Sequence, residues 1–328
     1  MKPIAIGLQN WIRAIELGYR ELRGSSPDRT RRILSEIGLR LGVLAIWSLF
    51  FRLIALTLIA SLLISPETRF AQISDAFASI ELIVAGLGML FFIALGRALR
   101  PLSHPRLDDL ISPWRLEKKY LPGLAWGALI GILWTSATLI GGTAEWVGTN
   151  LSYDEAALTL TNTTLRTLSI LVLVWCDEHF FRVSIQGRLQ RALPARWSIL
   201  SAALAFSTLK LLQFELGLSQ WLTLFLLSCN LGARSIKDGD FGKGAGLWSG
   251  FLLVIHPLLS LPVLGNDIQG IFMVKIMTPG ATPQALDLHR WISGGIGGPL
   301  SSPALQLLLL LDTMVRWRKL FLGGKSRG

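Results

Sequence analysis

Eight stretches of this chain are dominated by apolar residues over lengths near a bilayer crossing. They are roughly 41–64, 81–98, 123–142, 165–186, 198–216, 219–233, 246–264 and 303–320. An α-helix needs about 20 mostly apolar residues to span the hydrocarbon core. The sixth stretch is short, and the eighth carries polar interruptions. The pattern predicts an all-α protein, a polytopic transmembrane helix bundle of about eight spans. The first 25 residues differ: they lack a continuous apolar core, so no cleavable signal peptide is read there. Ile4, Leu8, Ile12, Ile15, Tyr19 and Leu22 instead form one stripe of an amphipathic helix, lying on the membrane surface or docked on the bundle. Four regions follow: an arm at 1–40, N-terminal transmembrane helices at 41–142, a core at 143–264, and 265–328. The last holds an outer loop, the final helix and a basic tail. The stretch "SGGIGGPL" at 293–300 has no Lys after it and no strand–helix context, so it reads as a flexible outer loop rather than a phosphate cradle.

Charge gives the bundle a direction. Only 16% of residues are charged and 51% are hydrophobic, against about a quarter charged in soluble domains. The net charge of +11 is not a nucleic-acid footprint, because the cations gather in loops between apolar stretches. Arg23, Arg29, Arg31, Arg32 and Arg40 precede the first stretch; Arg100, Arg106, Arg115, Lys118 and Lys119 follow the second. Arg182, Arg188, Arg191 and Arg196 follow the fourth; Arg234, Lys237 and Lys243 follow the sixth; Arg316, Arg318 and Lys319 close the chain. The intervening loops are nearly free of Lys and Arg. That alternation is the positive-inside signature, with both termini cytoplasmic. The localisation expected is an integral, multi-pass protein of a bacterial-type inner membrane or an organellar or thylakoid membrane. The twelve Trp residues fit interfacial anchors.

Against this background, "WCDEHFFRVSIQGRLQRAL" at 175–193 stands out. A charge at the centre of a membrane helix costs about 2.5–3.5 kcal/mol on insertion scales. Glu178 and Arg182, four residues apart, stack on one helical face and read as a structural ion pair. Asp177 points about 100° away and is not consumed by that pair. Lys210 in the fifth stretch, and His256 with Ser260 one turn on in the seventh, are further polar groups at comparable depth. Arg52 reads as snorkelling or paired, and Asn230 as a helix–helix hydrogen bond. No zinc-ligand spacing occurs, so neither metal nor cofactor is expected.

Three segments together resemble the CPBP, or CAAX-type, intramembrane protease family. Asp177-Glu178-His179-Phe180-Phe181-Arg182 is similar to its Glu-Glu-x-x-x-Arg, with Asp leading. Phe206-Ser207-Thr208-Leu209-Lys210 resembles its Phe-x-x-x-His, with Lys last. His256-Pro257-Leu258-Leu259-Ser260 resembles its His-x-x-x-Asn, with Ser last. The resemblance covers about 165–264. It implies that Asp177 is the general base for water, that His256 contacts water or oxyanion, that Ser260 is a weak donor, and that Lys210 stands where a histidine would. It also implies substrates or partners that are membrane-associated proteins or peptides, met near the cytoplasmic face.

The substitutions leave two readings open. Asp is one methylene shorter than Glu, and a displacement of about 1 Å can cost a reacting group on the order of 100-fold. A protonated Lys only donates; facing Asp177 it would make a buried salt bridge, whereas facing a developing oxyanion it would assist catalysis. A Ser–Lys scheme using Ser207 or Ser260 is a further variant. The chain is thus an altered endopeptidase, or a silent member serving as scaffold, chaperone or regulator. A solute transporter would call for related halves with discontinuous helices, and none is evident.

Overall fold

The computed structural model describes residues 27–63, 70–98, 119–151, 156–214, 216–264, 270–277 and 291–322. The amphipathic stretch at 1–25 lies outside them. Each of the eight apolar stretches falls on a helix: α1 (Pro27–Leu63), α2 (Phe70–Ala98), α3 (Tyr120–Ile140), α4 (Ala156–Glu178), α5 (Ala195–Gln213), α6 (Leu218–Asp238), α7 (Gly242–Leu253) and α8 (Pro303–Leu322). Among the described residues, Thr30–Leu58, Tyr120–Ile140 and Ala156–Leu189 are long and apolar enough to cross a membrane. Large apolar side chains such as Ile46, Leu53, Trp126, Leu133 and Leu158 point outward, as lipid contact requires. This is an integral membrane protein built as a helix bundle. α1 starts at Pro27, within the arm drawn at 1–40, and runs unbroken for 37 residues. That is about 55 Å of helix, more than the hydrocarbon core needs.

Helix direction alternates along the chain. Trp47 Nε1 donates to Gly88 O at 2.9 Å while Arg52 meets Glu81 at 3.3 Å, so α1 and α2 are antiparallel. Gly86 lies against Ser169 and Phe92 against Phe180, so α2 and α4 are parallel. Asp177–Lys210 and Phe181–Phe206 run α4 against α5. Arg182–Ser228 and Gln186–Gly232 make α4 and α6 parallel, as Ser219–Gln306 and Asn230–Asp312 do for α6 and α8. α3 and α7 are parallel through a glycine seam. A Cβ on Gly127 would stand 2.0 Å from Leu247 O, and one on Gly250 2.0 Å from Leu124 O. Only hydrogen fits at either place. Gly123 and Gly246 extend the seam by a turn, giving the small-xxx-small spacing that lets membrane helices meet backbone to backbone.

Two helices end in wide turns. α4 continues through a π-helical stretch, His179–Gln186, where backbone bonds skip five residues instead of four. α7 continues through Val254–Leu258, also π-helical. Pro257 brings no N–H and cannot extend an α-helical ladder; Leu259 N bonds back to Val254 O at 3.0 Å and the chain turns away. The seventh helical segment therefore stops at Leu258, not 264. Ser260 lies just beyond it with φ +57°: its N–H closes a last turn on His256 O at 3.0 Å, but its side chain leaves the helical face.

Two connections are more structured than their composition suggests. β1 (Ala144–Thr149) and β2 (Phe272–Ile276) form an antiparallel ribbon, pairing Ala144 with Ile276 and Thr149 with Phe272. It is a small exception to an otherwise helical fold. The glycine-rich stretch at 293–300 carries defined turns: with the following residue it forms two 3-10 turns, Gly295–Gly297 and Pro299–Ser301, seated on the start of α6. Gln220 Nε2 donates to Gly297 O (3.0 Å), Thr223 Oγ1 to Leu300 O (2.5 Å) and Ser219 Oγ to Ser301 O (3.0 Å). Gly298, at φ +69°, passes so close to Pro262 that a Cβ would stand 2.2 Å from its carbonyl oxygen.

Candidate functional site

The polar cluster grows from the end of α4, whose apolar run delivers Asp177 and Glu178 side by side into the bundle. Consecutive helical residues diverge by about 100°, and the two carboxylates enter different seams. Glu178 faces α6 and α7, and Arg182 meets it twice: Nε donates to Oε2 at 2.9 Å and Nη2 to Oε1 at 3.0 Å. Arg182 Nη2 also reaches Ser228 Oγ (2.9 Å), and Nη1 reaches Gln186 Oε1 (3.4 Å). Gln186 Nε2 closes the chain on Gly232 O at 3.0 Å. The guanidinium and its acid are both sealed, with side chains 1% exposed. Such a fork satisfies most lone pairs and protons at once, the condition under which a buried pair holds.

Asp177 faces α5. Its Oδ2 lies 2.6 Å from Lys210 Nζ, and both side chains are 2% exposed. Lys210 Nζ also donates to Gln213 Oε1 at 2.7 Å. The rings of Phe206 and Phe214 flank it at 5.6 and 5.4 Å from their centroids, close enough for cation–π attraction. Among the described residues, Asp177 Oδ1 has no hydrogen-bond partner. The network continues into the N-terminal helices. Gln213 Nε2 donates to Ser48 Oγ (3.2 Å), Arg52 Nη1 donates to Gln213 O (3.4 Å), and Arg52 Nη2 pairs with Glu81 Oε1 at 3.3 Å. A small cavity lined by Ser48, Phe51, Arg52, Glu81 and Gln213 lies alongside. Four charged groups from α1, α2, α4 and α5 thus balance as two acids and two cations. Glu81, Gln213 and Ser48 escape a reading of the sequence. Their one available signal is position: Gln213 stands three residues after Lys210 and Glu81 at the head of an apolar run.

His256 and Ser260 lie elsewhere. A Cβ on Gly244 would be 3.9 Å from Glu178 Oε2, which sets the level of α7 against α4. His256 is twelve residues further on, about 18 Å along the axis. Arg166, twelve residues before Glu178 on the antiparallel α4, is the charge whose field reaches it. His256 Nδ1 donates to Leu261 O at 3.3 Å, and Nε2 has no hydrogen-bond partner among the described residues. The α7 residues level with Asp177 run from Gly244 to Trp248, and none carries a titratable side chain. Next along, Ser249 accepts from the Tyr120 hydroxyl at 3.0 Å. Ser260 Oγ donates to Phe272 O (2.7 Å) and accepts from Gly270 N–H (2.6 Å), anchoring the segment that enters β2. The structure brings Asp177 and Lys210 together and leaves His256 and Ser260 apart from them, the latter two joined through the Ser260 N–H to His256 O bond and their side chains bonded to different partners.

Other polar residues are in structural contacts. Asn230 Nδ2 donates to Asp312 Oδ2 at 2.7 Å, joining α6 to α8. The His179 ring packs edge-on against Phe241 at 5.7 Å. Among the described residues, no group of three or more His, Cys, Asp or Glu side chains could hold a metal ion.

Comparison with known families gives one result on this ground. Residues 159–252 match the profile described as Type II CAAX prenyl endopeptidase Rce1-like. The match includes Asp177, Glu178, Arg182 and Lys210, and it closes before His256 and Ser260. Neither a curated protein nor a solved structure matches the chain significantly. The helices that assemble the Glu178–Arg182 and Asp177–Lys210 pairs thus lie in the stretch, residues 159–252, that is similar to the CAAX-type, or CPBP, intramembrane protease family.

Proposed function

We propose that this protein is a non-hydrolytic member of the CAAX-type family, one that binds membrane-associated proteins or peptides as a scaffold, chaperone or regulator. The observation that carries the reading is the 2.6 Å contact between Asp177 Oδ2 and Lys210 Nζ, with both side chains 2% exposed. A general base must hold a water and take its proton. Here the ammonium occupies one carboxylate oxygen, and Gln213 and two aromatic rings hold the ammonium in place. The α7 face at that level offers no imidazole or amide to position a water. Asp177 and Lys210 then brace α4 against α5, as Glu178 and Arg182 brace α4 against α6.

The competing reading, an altered endopeptidase, draws on Asp177 Oδ1, the oxygen left without a partner among the described residues. In it Asp177 would be the base and Lys210 an oxyanion donor, with His256 and Ser260 acting only after a rearrangement that brings them in.

The same proposal includes eight crossings with the Arg-rich ends of the helices facing the cytoplasm. It also includes an arm at 1–40, N-terminal helices at 41–142, a family core at 143–264, and a last segment at 265–328. The membrane is a bacterial-type inner membrane or an organellar one. The strict alternation of helix direction supports that topology.

Membrane proteomics in the native host separates the readings. Wild type, a deletion and the Asp177→Asn/Lys210→Gln double variant are compared; the double variant loses both charges together and leaves no ion stranded. Full rescue by the double variant, with no protein left uncut, is the expected outcome. A protein that accumulates uncut in both the deletion and the double variant, at wild-type expression of the latter, overturns the non-hydrolytic reading.

A further inference from the structure

A second charged cluster, outside the family site, lies where α6 and α8 approach their Arg-rich ends. Three donors converge on one oxygen. Asn230 Nδ2, Arg316 Nε and Arg234 Nη2 reach Asp312 Oδ2 at 2.7, 2.9 and 3.0 Å. Arg234 Nε is taken up by Asn230 Oδ1 at 2.8 Å. Two guanidiniums therefore share one oxygen of a single carboxylate, while Asp238, one turn after Arg234, adds its field from a distance without a hydrogen bond to either among the described residues. Among the described residues, Arg234 Nη1 and both terminal nitrogens of Arg316 donate no hydrogen bond. The group is not sealed: the side chains of Arg234, Arg316 and Asp312 are 16%, 23% and 40% exposed.

Depth adds a second line. Arg234 stands four residues before the end of α6 and Arg316 six before the end of α8, or about 6 and 9 Å of helix. That is the scale of the headgroup layer flanking the hydrocarbon core. Lys237, Arg191 and Arg318 are exposed at the same end of the bundle. An acid between helices would serve bracing alone with one cation; the second guanidinium brings planar N–H groups turned out of the ion pair, which match the oxygens of a phosphate.

We infer that the α6–α8 cleft at Arg234 and Arg316 binds an anionic phosphate group, presented by a lipid headgroup or free in solution. Asp312 holds both guanidiniums in place and the phosphate takes their outward N–H groups. Basic recesses between membrane helices at the cytoplasmic side are suited to such headgroups. The inference is independent of whether Asp177 hydrolyses anything.

The test uses the full-length protein, purified in detergent and stripped of lipid, then offered phosphatidylglycerol, phosphatidylcholine or inorganic phosphate. Bound lipid is counted by native mass spectrometry, and protection is read as a thermal shift. Wild type is expected to retain phosphatidylglycerol over phosphatidylcholine, and Arg316→Gln to retain it about tenfold more weakly. Arg318→Gln removes the same charge from an exposed position on the same helix and should match wild type. Arg316→Gln keeps the Asn230 and Arg234 contacts to Asp312, so it should elute and melt like a folded protein. Asp312→Asn, which removes the competing carboxylate, should bind at least as tightly as wild type. Equal retention by Arg316→Gln and Arg318→Gln, or no preference over phosphatidylcholine, overturns the site. Protection by inorganic phosphate alone, lost in Arg316→Gln, keeps the phosphate chemistry and overturns the lipid as its source.

Discussion

The seam between α3 and α7 and the seam between α4 and α5 hold helices together in opposite ways. In the first, Gly123, Gly127, Gly246 and Gly250 bring backbones into contact, and no charge takes part. In the second, large rings meet edge to face, Phe181 against Phe206 at 5.2 Å, and an ion pair lies beside them. Lipid gives apolar side chains little reason to prefer one another over acyl chains, so helices associate through close packing or through polar groups. The glycine seam depends on a shape that one added methyl destroys. The charged seam depends on a count: with both partners it is a brace, with one it is a stranded ion. The first therefore tolerates no growth and the second tolerates no subtraction.

The largest expected effect comes from subtraction. Lys210→Met leaves Asp177 buried without its cation, and breaking such a pair costs about 3–5 kcal/mol. Unfolding in mixed micelles titrated with SDS measures it. In a double-mutant cycle, Asp177→Asn/Lys210→Met should recover much of the loss, with a coupling energy of roughly 2–3 kcal/mol. A coupling near zero removes the brace from the account. Next comes growth at the glycine seam. Gly127→Ala drives a Cβ into a backbone oxygen that cannot move alone, an overpacking cost of about 1–3 kcal/mol. Gly131→Ala meets the Val254 Cβ at 3.0 Å, against 2.0 Å to a backbone oxygen at Gly127, so the same assay should show a distinctly smaller loss. Equal losses at the two positions would mean that backbone contact is not what the seam requires. The smallest effect has the opposite sign. Gly38 lies on exposed α1, where an added methyl would meet nothing within 4 Å, and Gly38→Ala should gain about 0.5–1 kcal/mol through helix propensity alone.

What could be read from the chain itself divides along the same physical line. Apolar runs are dictated by the bilayer, so each of the eight overlaps a helix, the seventh only as far as Leu258. Glu178 and Arg182 share a face by helical spacing alone, and their contact needs no knowledge of the rest of the fold. Asp177 and Lys210 are far apart in sequence; that they meet depends on the register of α4 and α5, which motif order hints at and spacing does not fix. His256 and Ser260 went the other way. A four-residue spacing reads as one helical face, but Pro257 ends the ladder in a π turn and sends Ser260 to the ribbon. Glu81, Gln213 and Ser48 left no pattern, because a single polar residue at the margin of an apolar run has no partner visible nearby. The glycine seam was legible in principle, since Gly123, Gly127 and Gly131 recur every fourth residue, a period that marks close helix approach.

The β1–β2 ribbon has a consequence in time. Its two strands are separated by more than a hundred residues, and the partner of the α3 glycine face lies as far downstream. During synthesis from the N-terminus, α3 and α4 emerge before either partner exists. The glycine stripe must wait in the bilayer, bare, until α7 has been made. Closure of the ribbon then marks the moment when an early hairpin of the chain is locked to a late one.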